Sequence, residues 1–331
     1  MSIALFRRGD ADRSAGGQVK PTGPRPRIGV ALGAGVARGW AHIGALQELE
    51  AIGVRPSVIV GASIGAVVGG CFAAGKLDAL EHFARSLTRR NVFGLLDVSF
   101  NGGGLIGGDR LRRRLEADLG AMRIEDLPLK FAGVATEIGA GHEVWLKNGP
   151  LVEAMRASYA LPGVFEPVRI GGRWLFDGAI VNPVPVNVAR ALGADRVIAI
   201  AIGSEGSGRG ATLADPIVLA PSAEEAREAK AAGVMDGLRQ RSARWLRRAW
   251  ASQGSDAPGM AAVMVNTFNI TQDRIMRSRL AGDPPDLLLN MKTGRFGLFE
   301  FHRAAELIDF GRAAVRRAKD EIYEHLELET A

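Results

Sequence analysis

Gly61-Ala62-Ser63-Ile64-Gly65 is a G-x-S-x-G run between a segment of strand character, Ser57–Val60, and an apolar helical segment, Ile64–Ala74. A serine in that context stands on a sharp strand-to-helix turn, with its hydroxyl lifted clear of the backbone. The positive end of the following helix favours negative charge developing there. Gly61 and Gly65 remove the Cβ atoms that such a turn would crowd. The chemistry served would be nucleophilic acyl transfer. The same pentapeptide also suits a plain glycine-rich turn in which Ser63 caps the helix.

A second cluster, Gly33-Ala34-Gly35-Val36-Ala37-Arg38-Gly39, lies between a first strand, Arg27–Leu32, and a first helix, Trp40–Ile52. A loop of this kind turns backbone N–H groups into an anion-binding concavity. It suits an oxyanion hole, or the pyrophosphate of a dinucleotide in an oxidoreductase. Against the nucleotide stands Arg38, where G-x-G-x-x-G needs glycine. The second strand also runs into Gly61-Ala62-Ser63 and offers no acid to a ribose.

The third candidate is Asp177, at the end of the apolar run Trp174-Leu175-Phe176 and followed by Gly178. A carboxylate there projects into the crevice at the strand ends, although Asp-Gly is also a common turn pair. None of His42, His82, His142, His302 and His325 stands in a loop at a strand end, as a base for Ser63 would. A serine–carboxylate dyad needs no histidine. An ordinary aspartate is a weak base at neutral pH, and burial beside Trp174 and Phe176 would raise its pKa.

The elements needed to position these residues follow from periodicity. Ile43, Leu46, Leu49 and Ile52 give the first helix an apolar stripe, closed by Gly53. Further helices are expected over Leu77–Arg90, Arg110–Leu119 with Asp109 as its cap, Leu151–Ala160 and Val186–Leu192. Strands are expected over Lys130–Glu137, His142–Leu146, on either side of Gly171–Gly172, and over Arg196–Ile202. This alternation predicts a mostly parallel sheet covered on both faces. Pro56–Gly75 is uncharged for twenty residues, long enough to span a bilayer. Its five glycines and the run Val58–Val60 make it a buried strand, turn and helix instead.

The organisation reads as a flexible basic tail (1–26), a catalytic core (27–202), a helical insertion (203–260) and C-terminal strands and helices completing the domain (261–331). In the last part, Val263–Ile270 and Asp286–Asn290 read as strands and Glu300–Leu326 as one or two helices. Asn101–Gly104 and Gly107–Gly108 read as glycine loops. Within the insertion, Ser222 and Glu225 form a capping box at the start of a long helical stretch.

Of 331 residues, 47% are hydrophobic and 24% charged, which excludes disorder for most of the chain. The single cysteine, Cys71, excludes a disulfide framework and a cysteine-based metal cluster. A lone thiol and an N-terminus without an apolar signal core fit a cytoplasmic protein. The net charge of +6 is concentrated in the tail and in 234–250, leaving the remainder near neutral. That distribution argues against nucleic acid as a partner. In 234–250, Trp245 and Trp250 interleave with Arg239, Arg241, Arg244, Arg247 and Arg248. Such a helix suits peripheral contact with an anionic membrane at the inner surface, or packing on the body with a solvated basic face.

The stretches GAGVARGWAHIGAL (33–46), GASIGAVVG (61–69), ASYALPGVFEPV (157–168) and LFDGAIVNPVPV (175–186) together resemble the patatin-like phospholipases. The wording is most similar to the bacterial patatin-like esterases of the neuropathy-target-esterase type, the RssA-like branch. The likeness covers Arg27–Ile202, with weaker echoes in Asp286–Gly311, and leaves 203–260 uncovered. It implies a three-layer α/β/α patatin-like fold and a serine lipid acyl hydrolase working on phospholipid, lysophospholipid or another acyl ester. By position it implies Ser63 as nucleophile and Asp177 as base. It places the oxyanion segment at Gly33, Gly35, Val36, Arg38 and Gly39. No metal or other cofactor is expected, so a chelator should have no effect. The family often has glycine where this chain has Ala34 and Val36, so a positive φ at either position would strain the loop. A non-catalytic regulatory or adaptor protein on the same fold is the alternative.

Overall fold

The computed structural model describes residues 26–89, 109–162, 164–203 and 260–327. The tail, the glycine loops of 101–108, most of the 203–260 insertion and the basic 234–250 segment lie outside the described residues.

The strands are β1 (Ile28–Leu32), β2 (Val58–Ala62), β3 (Lys130–Glu137), β4 (Glu143–Leu146), β5 (Val168–Ile170), β6 (Arg173–Asp177), β7 (Arg196–Gly203) and β8 (Leu287–Lys292). The helices are α1 (Ala41–Ala51), α2 (Ile64–Ala73), α3 (Leu77–Ser86), α4 (Asp109–Leu119), α5 (Leu151–Tyr159), α6 (Val186–Ala191), α7 (Met260–Gly282), α8 (Ala304–Arg317) and α9 (Lys319–Leu326). Among the described residues, all eight strands join one sheet. Its main path runs β5-β6-β3-β2-β1-β7-β8, and β4 pairs with β3. The pairings β3-β2, β2-β1, β1-β7 and β7-β8 are parallel, while those among β3, β4, β5 and β6 are antiparallel.

Strand alternation builds the two outer layers, because successive side chains point to opposite faces. Val30, Leu32, Ile59, Phe131, Ile198 and Ile200 pack in one apolar cluster with residues of α1, α2, α5 and α8. Ala31, Val60, Ala62, Ala132, Val134 and Ala199 face the other side, against α6, with Phe268, Met276 and Leu280 of α7 packed on. Both faces of the central strands are therefore covered, which explains their near-continuous apolar runs. The arrangement is a three-layer α/β/α fold.

One expectation is overturned. Val263–Ile270 lies inside the 23-residue helix α7 and forms no strand. The β-branched and aromatic residues there give local strand character, but packing follows a helical spacing. Phe268, Met276 and Leu280 face the core, while Val263, Met264 and Ile270 are exposed. Burial on one helix face outweighs local β-propensity. Pro56–Gly75 forms β2, the turn and α2. Among the described residues, no helix is long and apolar enough to cross a membrane.

Candidate active site

Ser63 sits between the last residue of β2 and the first of α2, with φ 56° and ψ −125°. A non-glycine residue at positive φ is a strained conformation that surrounding structure must hold in place. The strand-helix crossing is close: a Cβ added to Gly61 would overlap the Gly65 carbonyl, and one added to Gly65 would overlap the Leu32 carbonyl. Ser63 occupies the capping position of α2, but its side chain makes no capping bond. Its Oγ instead donates to Asp177 Oδ2 at 2.7 Å.

Asp177 ends β6, and β3 explains how the two residues meet. Gly133 and Val134 of β3 pair with Gly61 and Ala62 on one edge and with Leu146 and Trp145 on the other. Ala135 and Thr136 keep β4 as partner but pair with Asp177 and Phe176 on their second edge. A strand has only two edges, so β6 takes up the edge that β2 leaves when the chain turns at Ser63. Ala62 and Asp177 thus stand against neighbouring positions of one strand. Gly178 permits this approach, since a Cβ there would overlap the Val134 carbonyl.

The Asp177 carboxylate is fixed on both oxygens. Oδ2 accepts from Ser63 and Oδ1 accepts from the Ala179 amide at 2.8 Å, so the Asp-Gly turn and the pairing with Ser63 coexist. Its backbone is tied as well: the amide donates to Ala160 O at 3.0 Å, and the carbonyl accepts from Thr136 Oγ1 at 2.9 Å. The residue is 1% exposed, and burial pushes its carboxyl up to about 7, against the two hydrogen bonds, which favour the charged form. Desolvation is the larger effect. Trp174 is not what buries it. That side chain is 50% exposed, because it lies on the opposite face of β6 from Leu175 and Asp177, which are buried.

The glycine loop wraps the same turn. Gly39 lies so close to the Ile64 side chain that a Cβ would overlap it. Val36–Trp40 forms a 3-10 turn, and Val36 stands at φ 52°. Ala34 keeps a negative φ, so the strain falls on Val36 alone of the two. The amides of Gly33, Ala34, Ala37 and Arg38 donate to Ile200 O, Pro183 O, Leu298 O and Gly35 O. Those of Gly35 and Val36 have no acceptor among the described residues. The side chain of Arg38 turns away, its Nε donating to Phe296 O at 2.7 Å.

No histidine hydrogen-bonds to Ser63 or Asp177. His42 is fully buried with Nε2 2.8 Å from Gly33 O, and burial pushes its pKa down to about 4, which keeps it neutral. His82 is exposed, His142 lies beside Glu137, His302 accepts from Arg89 Nε, and His325 bonds Glu321 O. Among the described residues, no group of three or more His, Cys, Asp or Glu side chains could hold a metal ion. Ser158, Ala160, Thr136 and His42 support the site, and sequence reading did not find them. The signal the sequence carried was that His42, Ser158 and Ala160 lie within two of the four stretches that bear the family resemblance, whereas Thr136 lies in none.

The fold and this pair define an α/β/α protein with a buried serine–carboxylate site at adjoining strand ends. The chain belongs to the patatin-like phospholipase family, on its NTE side. The patatin-like phospholipase profile matches residues 30–190. An uncharacterized NTE family protein of Mycobacterium tuberculosis is 36% identical over 88% of this chain and 91% of its own length. Human patatin-like phospholipase domain-containing protein 6 is 34% identical over 54% of this chain and 13% of its own length. Lysophospholipase nte1 of Emericella nidulans is 31% identical over 54% of the chain and 12% of its own length.

Proposed function

We propose that the protein is a serine lipid acyl hydrolase acting on a carboxylic ester such as a phospholipid or lysophospholipid. The observation that carries this reading is the 2.7 Å bond from Ser63 Oγ to a buried carboxylate pushed up to about 7. A base titrating near the working pH combines a useful ionised fraction with proton affinity. Family membership and the word lysophospholipase in a relative's name support a lipid ester as the substrate.

In the proposed reaction, the Asp177 carboxylate takes the Ser63 proton as Oγ bonds to the ester carbonyl carbon. The amides of Gly35 and Val36, unpaired among the described residues, hold the resulting oxyanion, with the rest of the Gly33–Gly39 loop fixing their direction. Loss of one such donor typically lowers the rate by about 10²–10³. The tetrahedral centre collapses, the ester C–O bond breaks, and the proton on Asp177 passes to the departing alkoxide. Water then attacks the acyl-enzyme, giving a proton to Asp177. Collapse releases the fatty acid, and the proton returns to Ser63.

Hydrolysis of p-nitrophenyl acyl esters tests the reading, followed by a lipid panel with released fatty acids measured by mass spectrometry. Ser63→Ala should abolish turnover with the fold intact, and full turnover in that variant would reject the mechanism.

A further inference from the structure

Ser158 lies in the last turn of α5 and is fully buried. A serine hydroxyl has one proton to donate and lone pairs to accept with, and this one uses both functions on backbone groups of other elements. It accepts from the Ser63 amide at 3.0 Å and donates to Val134 O at 2.6 Å. A serine inside a helix commonly bonds back to the carbonyl four residues earlier. Ser158 reaches across to β3 instead. Two residues further on, Ala160 O receives the Asp177 amide. The end of α5 therefore holds the backbone of both members of the pair, one through a side chain and one through a carbonyl.

We infer that Ser158 is the positioning residue of the pair: its hydroxyl pins the strained Ser63 turn to β3, the strand that also registers Asp177. The inference rests on the reading of Ser63 as nucleophile. Val134 is the residue paired with Ala62, and its neighbour Ala135 is paired with Asp177. A tie from Ser63 N to Val134 O through one hydroxyl thus fixes the turn against the strand that carries both strand ends. Without it, the Ser63 amide would lose its recorded acceptor beside a fully buried position, and the Val134 carbonyl would lose the hydroxyl it accepts from. A φ of 56° at Ser63 has no intrinsic support, so that loss acts on the direction of Oγ.

The test compares Ser158→Ala, Ser158→Cys and Ser158→Thr with the native full chain and with Ser63→Ala. Two readouts are used: kcat and KM for a p-nitrophenyl ester, and amide hydrogen exchange at Ser63. In the Ala and Cys variants, kcat should fall about ten- to hundredfold with KM within about twofold, as expected for a misaimed nucleophile. Exchange of the Ser63 amide should speed up at least about tenfold while Val58–Val60 stays protected. Ser158→Thr, which keeps the hydroxyl, should retain most of kcat and the slow exchange. If Ser158→Ala does not fold, Ser158→Cys carries the same measurements with the volume conserved. An unchanged Ser63 exchange rate, an unchanged kcat, or a folded Thr variant as slow as the Ala variant would each overturn the inference. If the native chain hydrolyses no faster than Ser63→Ala, the hydrolase reading falls, while the exchange comparison still decides whether Ser158 holds the turn.

Discussion

Ser63 and Asp177, 114 positions apart in the chain, meet at 2.7 Å because β3 receives the segments that carry them on one edge, in succession. The pairing is thus a property of sheet register. It survives only while β2 ends at Ala62 and β6 ends at Asp177, and the constraint converges on the few backbone groups of Val134, Ala135 and Thr136.

The acid limb of activity should report Asp177. The proposed base works only when ionised, and burial pushes its carboxyl up to about 7. Rate should therefore rise with pH through about 7 and level off above it. The check is kcat/KM from pH 5 to 9 on an uncharged ester. A profile flat down to pH 5 would contradict the assignment.

Stability should respond in the opposite sense. The ordinary carboxyl value is 3.8 and the folded value is about 7. Between them the folded chain binds more protons than the unfolded one, so stability falls as pH rises through that window. Asp177→Asn removes this buried charge. It should raise Tm by a few degrees at pH 8, with the gain fading toward pH 4, while ester hydrolysis is lost. Thermal melts at several pH values would show this. An equal shift at pH 4 and pH 8 would remove the charge from the explanation.

Val36 carries a β-branched side chain at φ 52°. Such strain amounts to about 1–3 kcal/mol, against about 0.5–1 kcal/mol of extra chain entropy lost when a glycine is ordered. The first term is larger. Val36→Gly should leave the fold as stable or more so, by up to about 2 kcal/mol, with hydrolysis at least as fast. Denaturant unfolding and ester kinetics check both halves, and a clear loss of stability would show that the valine side chain supplies packing worth more than the strain.

Cys71 is buried in α2, and burial, with Asp118 nearby, pushes its thiol up to about 12. The thiolate needed for attack is scarce at neutral pH. The native protein should therefore react with Ellman's reagent only at the rate of unfolding, and iodoacetamide should leave activity intact. Prompt labelling under native conditions would contradict this burial.

What could be read in the sequence was what short contiguous stretches encode. The turn around Ser63, the glycine loop, the Asp-Gly step and the strand-helix alternation each depend on neighbours in sequence, and glycine spacing reveals where backbones cross closely. Lys130–Glu137 is legible to the residue as β3 for the same reason. The supports of the site were not legible. Ser158 looks like any helical serine until α5 is laid against β3, and its partners lie 95 and 24 positions away. Thr136 likewise acts on a backbone carbonyl 41 positions away, and His42 on one nine positions back across the glycine loop. The helix over Val263–Ile270 is not legible because Val263 and Ile270 look like strand residues yet face outward, which only the packing of Phe268, Met276 and Leu280 makes plain.

The reactivity of the Ser63 hydroxyl decides whether this site works as a hydrolase. Incubation of the native chain with a fluorophosphonate probe, followed by peptide mass spectrometry, should give a single adduct at Ser63. Labelling should be lost in Ser63→Ala and strongly slowed in Asp177→Asn. Absence of an adduct on the native protein, or equal labelling of the Asp177→Asn variant, would contradict the claim that this carboxylate activates this serine.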